Sequence, residues 1–125
     1  MSSHAIYLID NDAAVRLAVR RLLLPLRAPV RAFASAEQFL REVPRGAEGC
    51  LILDVSLSGM TGLQLQERLN ESEWRLPVIF TTAHDDDGPS RDAAMRKGAV
   101  AYLCKPFDCD VLLAAVRHAL ASIPA

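Results

Sequence analysis

A carboxylate at the end of an apolar run is the first candidate for chemistry in this sequence. Leu51–Leu53 carry no polar side chain, Asp54 follows them, and the stretch lies between Gly46 and Gly59. Such a run is typical of a strand buried on both faces of a parallel sheet. Because an ionised Asp is costly to desolvate, we expect Asp54 at the rim of the sheet, facing water, a cation or a partner. It could be a reactive group or an ordinary solvated loop residue.

Polar groups follow three other apolar runs in the same way. They are Asp10-Asn11, Thr81-Thr82 and Lys105. Two neighbouring carboxylates repel each other unless a hard cation lies between them, and oxygen ligands that include water suit Mg²⁺. With such a cation, Asp54 could act as a nucleophile toward a phosphoryl group, while Lys105 screens the transferred oxygens and Thr82 donates a hydrogen bond to one of them. Taken singly, the same residues could be a helix cap, a strand Thr and a surface Lys.

The elements that would bring these groups together alternate as strand then helix, five times. Strands are predicted at 5–9, 30–33, the run ending at Asp54, 78–82 and 99–104, and helices at about 13–24, 36–42, 63–70, from about 90 to Gly98, and after Asp108. Short connections imply parallel strands with right-handed crossovers. We predict a flavodoxin-like, doubly wound α/β fold with a five-stranded parallel sheet in the order 2-1-3-4-5 and five helices. In that order, Asp10 and Asn11 lie beside Asp54.

Local signals define several helix ends. Asn11 or Asp12 can cap the first helix, and Pro25 should end it. Ser35 followed by Gln38 has the spacing of a capping box for the second helix.

Composition limits the class of protein. The chain has 125 residues, about half of them hydrophobic, and a formal net charge of −1. One compact domain is expected, without a strong nucleic-acid footprint, an export signal or a membrane span. Cys50, Cys104 and Cys109 form no CxxC pair, so we predict buried, reduced thiols in a cytoplasmic protein, with a metal or redox site as the alternative.

Four motifs together resemble the receiver domain of bacterial response regulators, nearest to the FixJ type. They are IYLIDND, LILDVSLSGMTG, VIFTTAH and KGAVAYLCKPF, and FASAEQFL after the second strand strengthens the match. The resemblance implies a single receiver over 1–125 with no output domain in this chain. Such a domain accepts a phosphoryl group from a sensor histidine kinase on Asp54, with Mg²⁺, and switches the face made by helix 4, strand 5 and helix 5. It assists its own phosphorylation and dephosphorylation and is not a turnover enzyme.

The same resemblance implies roles for individual residues. Thr82 would be the switch hydroxyl, Tyr102 the switch aromatic and Lys105 the phosphate-contacting lysine. The metal ligands would be Asp10, Asn11, Asp54 and the carbonyl of Ser56. Side chains at Ser56 and His84 would modulate the lifetime of the phosphoryl group, although His84 could equally be a solvent-facing residue without a role. The bond before Pro106 is expected to be cis.

Partners also follow from the resemblance. Besides the kinase, they would include a second copy of the chain on phosphorylation, and DNA only through an output domain outside this chain. No membrane contact is expected.

Three departures from the family pattern matter. Asn11 stands where a second acid is usual, so we expect metal binding weakened by roughly ten- to a hundredfold. Ser58-Gly59 stands where Pro-Asp is common, so the loop after Asp54 is expected to be more mobile. Asp85–Asp87 is read as a solvated loop, with a second cation site as the alternative.

Other functions remain open on the sequence. A pseudo-receiver would keep the fold as an interaction module and work without phosphate, because Asn11 has spoiled its metal site. A flavin protein would need a Gly-, Ser- and Thr-rich loop after the first strand, where Asp10-Asn11-Asp12 would repel a phosphate. A phosphatase of the haloacid dehalogenase type would need a second acid two residues after Asp54, and that position is Ser56.

Overall fold

In the computed structural model, which describes residues 4–72, 74, 76–83 and 88–123, five strands alternate with five helices. The strands are β1 (Ala5–Ile9), β2 (Val30–Phe33), β3 (Gly49–Asp54), β4 (Val78–Thr82) and β5 (Ala101–Cys104). The helices are α1 (Ala13–Leu22), α2 (Ala36–Glu42), α3 (Gly62–Glu71), α4 (Gly88–Arg96) and α5 (Cys109–Ala121).

The strands form one parallel sheet in the order β2-β1-β3-β4-β5, which confirms the predicted fold. Ile9 at the end of β1 is the register partner of Leu53 in β3, and Asp54 is the partner of Thr81 in β4. The carboxyl ends of the central strands therefore lie side by side at one edge of the sheet, where ligands bind in open α/β folds.

Helices cover both faces of the sheet. On one face, α1 and α5 pack on aliphatic side chains such as Ile52 and Ile79. On the other face, α2, α3 and α4 pack on a core that includes Phe39 and Phe80. Because each central strand is covered on both sides, its sequence reads as an uninterrupted apolar run.

Several boundaries differ from those predicted. α1 ends at Leu22, and Pro25 lies in a separate 3₁₀ turn (Leu24–Leu26), where its missing N–H is tolerated. α4 begins at Gly88, two residues before the predicted start. β5 begins at Ala101 and not at Ala99, because the Ala99 N–H donates back to the Ala94 carbonyl and helps to close α4.

The predicted capping box of α2 is only half present. Ser35 Oγ accepts a hydrogen bond from the Gln38 N–H, but Gln38 Oε1 accepts from the Ala34 N–H and not from that of Ser35. A complete capping box occurs instead at the start of α3, between Thr61 and Gln64, where the sequence analysis did not predict one.

The cysteines are all free thiols, as expected, but only Cys50 is buried. Burial raises its pKa to about 12. Cys104 is exposed, because it ends the edge strand β5, and Cys109 is half-buried, so the prediction of buried thiols was wrong for these two. Across the described residues, no helix is both long enough and apolar enough to cross a bilayer.

Candidate functional site

Two carboxylates and one ammonium meet at the carboxyl edge of the sheet. Asp10 follows β1 and Asp54 ends β3, and their exposed fractions are only 1% and 5%. The Nζ of Lys105, the residue after β5, lies 2.7 Å from Asp10 Oδ2 and 3.4 Å from Asp54 Oδ2. The structure thus brings together three of the residues that the sequence analysis singled out, from the beginning, middle and end of the chain.

Backbone N–H groups hold the second oxygen of each carboxylate. Asp10 Oδ1 accepts from the Asp12 N–H at 2.9 Å, and Asp54 Oδ1 accepts from the Ser56 N–H at 3.0 Å. Each carboxylate is therefore oriented by the chain that follows it, with its other oxygen turned toward Lys105.

The charges in this pocket shift two pKa values. Burial raises the pKa of Asp54, and it outweighs the lowering by the Ser56 N–H and by Lys105, while the charge of Asp10 adds to the rise. Burial alone would lower the pKa of Lys105, but its hydrogen bond to Asp10 and the charges of both aspartates outweigh that effect, so its pKa is raised. Lys105 is therefore a stable ammonium that screens two carboxylates.

The ends of β4 and β5 complete the edge. Thr82 is buried, and its carbonyl accepts a hydrogen bond from the Lys105 N–H at 2.7 Å, which ties the two strand ends together. The Lys105–Pro106 bond is cis, as expected from the sequence. Tyr102 is half-buried in β5, with its ring centroid 6.0 Å from that of Phe80.

The donor set suits a small hard cation. Two buried carboxylates share one lysine, so the pocket keeps an excess of negative charge. Mg²⁺ takes oxygen ligands and retains several waters, so one or two carboxylates are sufficient. Within the described part of the chain, no group of three or more His, Cys, Asp or Glu side chains is placed to hold a metal ion. Within that part of the chain, Asn11 and Ser56 offer neutral oxygens as further ligands.

The structure says less about the roles of the other predicted residues. Asn11 and Ser56 are exposed beside the two carboxylates. Asp12 caps α1, because its Oδ1 accepts from the Ala14 N–H at 2.9 Å. His84 and Asp85–Asp87 lie outside the described residues.

Two contributors were missed in the sequence. Arg16 Nη1 donates to the Asp10 carbonyl oxygen at 2.6 Å, and Glu37 Oε2 accepts from the Met60 N–H at 2.9 Å in the loop after Asp54. A signal existed for Arg16, since a cation near the N-terminus of a helix is unfavourable unless it has a partner. No sequence pattern marks the contact of Glu37, which joins segments 23 residues apart.

An apolar groove of about 390 Å³ adjoins the carboxylate pocket. It lies between α1 and the start of the last connection, and its lining includes Val15, Leu22 and Phe107 together with Lys105. A partner that occupies this groove would therefore contact the lysine of the pocket.

Known proteins with similar sequences are bacterial regulators. The family model of the response regulator receiver domain matches residues 6–117. Response regulator protein TodT of Pseudomonas putida is 42% identical over 119 residues, which are 95% of this chain and 52% of TodT. Transcriptional regulatory protein FixJ of Bradyrhizobium diazoefficiens is 36% identical over 115 residues, which are 92% of this chain and 56% of FixJ.

Solved structures agree with this assignment. The crystal structure of FixJ-N has a TM-score of 0.89 at 30% sequence identity, and the match covers 100% of this chain and 99% of that one. The response regulator StyR has a TM-score of 0.88 at 35% identity, over 96% of this chain and 60% of that one. This chain spans about half the length of the curated relatives it matches. It belongs to the response regulator receiver domain family of two-component signal transduction.

Proposed function

We propose that this receiver accepts a phosphoryl group on Asp54 from a sensor histidine kinase. The observation that carries the proposal is the buried Asp54 carboxylate at the sheet edge. It faces Lys105, whose ammonium lies closer to Asp10 than to Asp54. A carboxylate that is desolvated and incompletely neutralised is a better nucleophile than a fully paired one.

The transfer needs little from the protein beyond position and charge. A carboxylate oxygen of Asp54 forms a bond to phosphorus, the bond from phosphorus to the imidazole nitrogen of the donor breaks, and the imidazole keeps the electron pair. Lys105, 3.4 Å from Asp54 Oδ2, supplies positive charge for the transferred oxygens. Thr82 at the end of β4 would donate a hydrogen bond to one of them.

Mg²⁺ belongs to the same proposal. Asp10, Asp54 and the Ser56 carbonyl would hold it, with Asn11 offering a neutral oxygen. When bound, the ion supplies the positive charge that the phosphoryl oxygens require. Lys105 Nζ donates to Asp10 Oδ2 at 2.7 Å, which fixes the lysine beside this position.

Thr82 and Tyr102 would convert phosphorylation into a change of surface. They lie near the ends of neighbouring strands, and Tyr102 is already half-buried against Phe80. A Thr82 hydroxyl drawn toward the phosphoryl group would leave space that the Tyr102 ring enters, which alters the face made by α4, β5 and α5. This is a two-state element biased by a local charge.

The partners follow from this arrangement. The groove between α1 and Phe107 adjoins Lys105, so a kinase seated there would bring its phosphohistidine to Asp54. We also propose a cytoplasmic location, a homodimer on phosphorylation, and control of transcription through an output domain outside this receiver. The similarity to FixJ, a transcriptional regulatory protein, supports the last of these.

Intact mass after treatment with acetyl phosphate and Mg²⁺ tests the proposal. The wild-type chain should gain one phosphoryl group, and Asp54→Ala should gain none. Asp92→Asn, which alters an exposed carboxylate on α4, is the matched control and should behave as wild type. A gain that survives Asp54→Ala, or no gain in the wild-type chain, would overturn the proposal.

A pseudo-receiver that works without phosphate is the second candidate. The observation that favours it is Asn11, a neutral residue at the exposed side of the carboxylate pair. Calorimetry with Mg²⁺ separates the two functions, because a phosphoacceptor should bind the ion measurably and a pseudo-receiver should not. Absence of both Mg²⁺ binding and mass gain would favour the pseudo-receiver.

A further inference from the structure

The loop after the phosphoacceptor strand, here named the acceptor loop (residues 55–61), is held by hydrogen bonds along its length, and three of them concern the site. The Gly62 N–H donates to the Val55 carbonyl at 3.1 Å and closes the loop at its base. The Ser56 N–H donates to Asp54 Oδ1 at one end. The third is that of the Met60 N–H, which donates to Glu37 Oε2 at 2.9 Å. Of these three contacts, only the last comes from outside the loop and its flanking residues, although the Val55 N–H at the base also donates to the Thr81 carbonyl of β4 at 3.0 Å.

Glu37 is well suited to this contact. It lies in the first turn of α2, where the helix dipole favours a negative charge. The Met60 N–H is the main reason that the pKa of Glu37 is lowered, so the carboxylate is ionised and the hydrogen bond is charge-assisted.

The backbone of the acceptor loop leaves space for the Glu37 carboxylate. Gly59 has a φ of +73°, a left-handed conformation that glycine adopts at little cost. A Cβ at Gly59 would lie 2.7 Å from Glu37 Oε2, so glycine also permits the close approach. Ser58 precedes it without the restriction on φ that a proline would impose, so an outside contact adds order to this half of the loop.

We propose that Glu37 is a positioning residue for the phosphoacceptor site. By fixing Met60, its carboxylate keeps the acceptor loop in the conformation in which the Ser56 N–H orients Asp54, so that the Ser56 carbonyl would be available to the metal. Val55 and Leu57 are buried in the core and anchor the near half of the loop, whereas Ser58 and Gly59 are exposed, so Glu37 acts on the half that packing does not hold. The part of this proposal that concerns the metal rests on the proposed function.

Amide hydrogen exchange of the full chain tests the positioning role without any ligand. Glu37→Ala should raise the exchange rates of both the Met60 and the Ser56 N–H by about tenfold, because the charge-assisted hydrogen bond that restrains the loop is lost. Glu37→Gln keeps an acceptor oxygen and should restore most of the protection. Glu42→Ala is the matched control, because Glu42 lies on the same helix and makes only an exposed 3.7 Å ion pair with Arg31. Faster exchange at Met60 alone would overturn the proposal.

A second variant, Gly59→Ala, disturbs the contact between Glu37 and Met60 from the side of the loop. Gly59→Ala would push the Glu37 carboxylate away, so it should raise the same two exchange rates even if Glu37→Ala folds poorly. Wild-type exchange at Ser56 in Gly59→Ala would contradict the proposal.

Calorimetry with Mg²⁺ and the decay of phosphorylated protein extend the test to the site. Glu37→Ala should bind Mg²⁺ about three- to tenfold more weakly than wild type, with Glu37→Gln in between and Glu42→Ala unchanged. Wild-type Mg²⁺ affinity and phosphoryl lifetime in Glu37→Ala would overturn the positioning role. A wild-type chain that takes no phosphate would instead defeat the proposed function, and the exchange rates would still decide the role of Glu37.

Discussion

The ends of β1 and β3 carry the same carboxylate in the same local geometry, but they hold it differently. Each Asp accepts the N–H two residues ahead through Oδ1 and faces Lys105 through Oδ2. At the β1 end, only residues 10–12 precede α1, and Arg16 binds the Asp10 carbonyl. At the β3 end, the acceptor loop intervenes before α3.

This difference separates two tasks. Asp10 holds the lysine at 2.7 Å on a short connection, whereas Asp54 is 0.7 Å farther from it and lies beside a longer loop. In the proposed function, the β1 end supplies a fixed charge framework and the β3 end supplies the carboxylate that reacts. Three substitutions test this division, taken from the largest expected effect to the smallest.

Of the three substitutions, Gly62→Ala should have the largest effect, a loss of stability at the β3 end. An added Cβ would collide with the Asp54 carbonyl oxygen and would lie 3.0 Å from Val55 Cα, and backbone atoms cannot move aside as a side chain can. We expect a loss of about 3 kcal/mol in the free energy of unfolding, measured by urea denaturation. Gly46→Ala is the control, because its Cβ would meet nothing within 4 Å, and its change should stay within about 0.5 kcal/mol. Equal effects of the two substitutions would show that the start of α3 does not pack closely on the backbone of Asp54 and Val55.

Asn11→Asp should strengthen the β1 end as a metal site. It adds a second charged oxygen beside Asp10, so Mg²⁺ should bind roughly ten- to a hundredfold more tightly in calorimetry. Asn11→Ala removes the oxygen altogether and should bind no better than wild type. An Asn11→Asp variant with wild-type affinity would place the metal away from the β1 end.

Asp54→Asn should give the smallest effect, a rise in stability in metal-free buffer. Burial raises the pKa of Asp54 above its ordinary value of 3.8, so the folded state at neutral pH carries a carboxylate that it disfavours. The amide removes that penalty, and Tm should rise by a few degrees. Asp10→Asn loses the charge of the 2.7 Å ion pair with Lys105, so it should not raise Tm.

The pH dependence of this difference has a definite sign. The folded chain binds the Asp54 proton more tightly than the unfolded chain, so wild type gains stability relative to Asp54→Asn as the pH falls from 7 toward 4. The difference in Tm between wild type and Asp54→Asn should therefore become smaller on acidification. Addition of Mg²⁺ at pH 7 should also reduce it. A Tm difference that grows in acid would mean that the pKa of Asp54 is lowered.

The fold was predictable because each strand carries its own signal. The apolar runs ending at Asp54 and Thr82 and the strand-helix alternation are sufficient to fix a parallel sheet, and the order of strands confirmed it. The meeting of Asp10, Asp54 and Lys105 followed from that order alone, since parallel strands place their carboxyl ends at one edge. Their chemical roles stay predictions that the phosphorylation experiment tests.

What escaped prediction depends on tertiary contacts. Glu37 and Met60 carry no pattern that relates them, because the contact exists only after α2 packs beside the acceptor loop. The start of β5 was placed too early because the sequence cannot show that the Ala99 N–H returns to Ala94. The exposure of Cys104 likewise depends on β5 being an edge strand, which is a property of the sheet and not of the residue.

The bridge between Lys105 and Asp10 joins positions 95 residues apart, and that between Lys105 and Asp54 joins positions 51 apart. During synthesis, the ammonium leaves the ribosome long after both aspartates. A nascent or prematurely terminated chain that stops before β5 therefore presents two carboxylates without their counter-charge. Under the proposed function, the site would therefore be complete only once β5 and Lys105 have been translated.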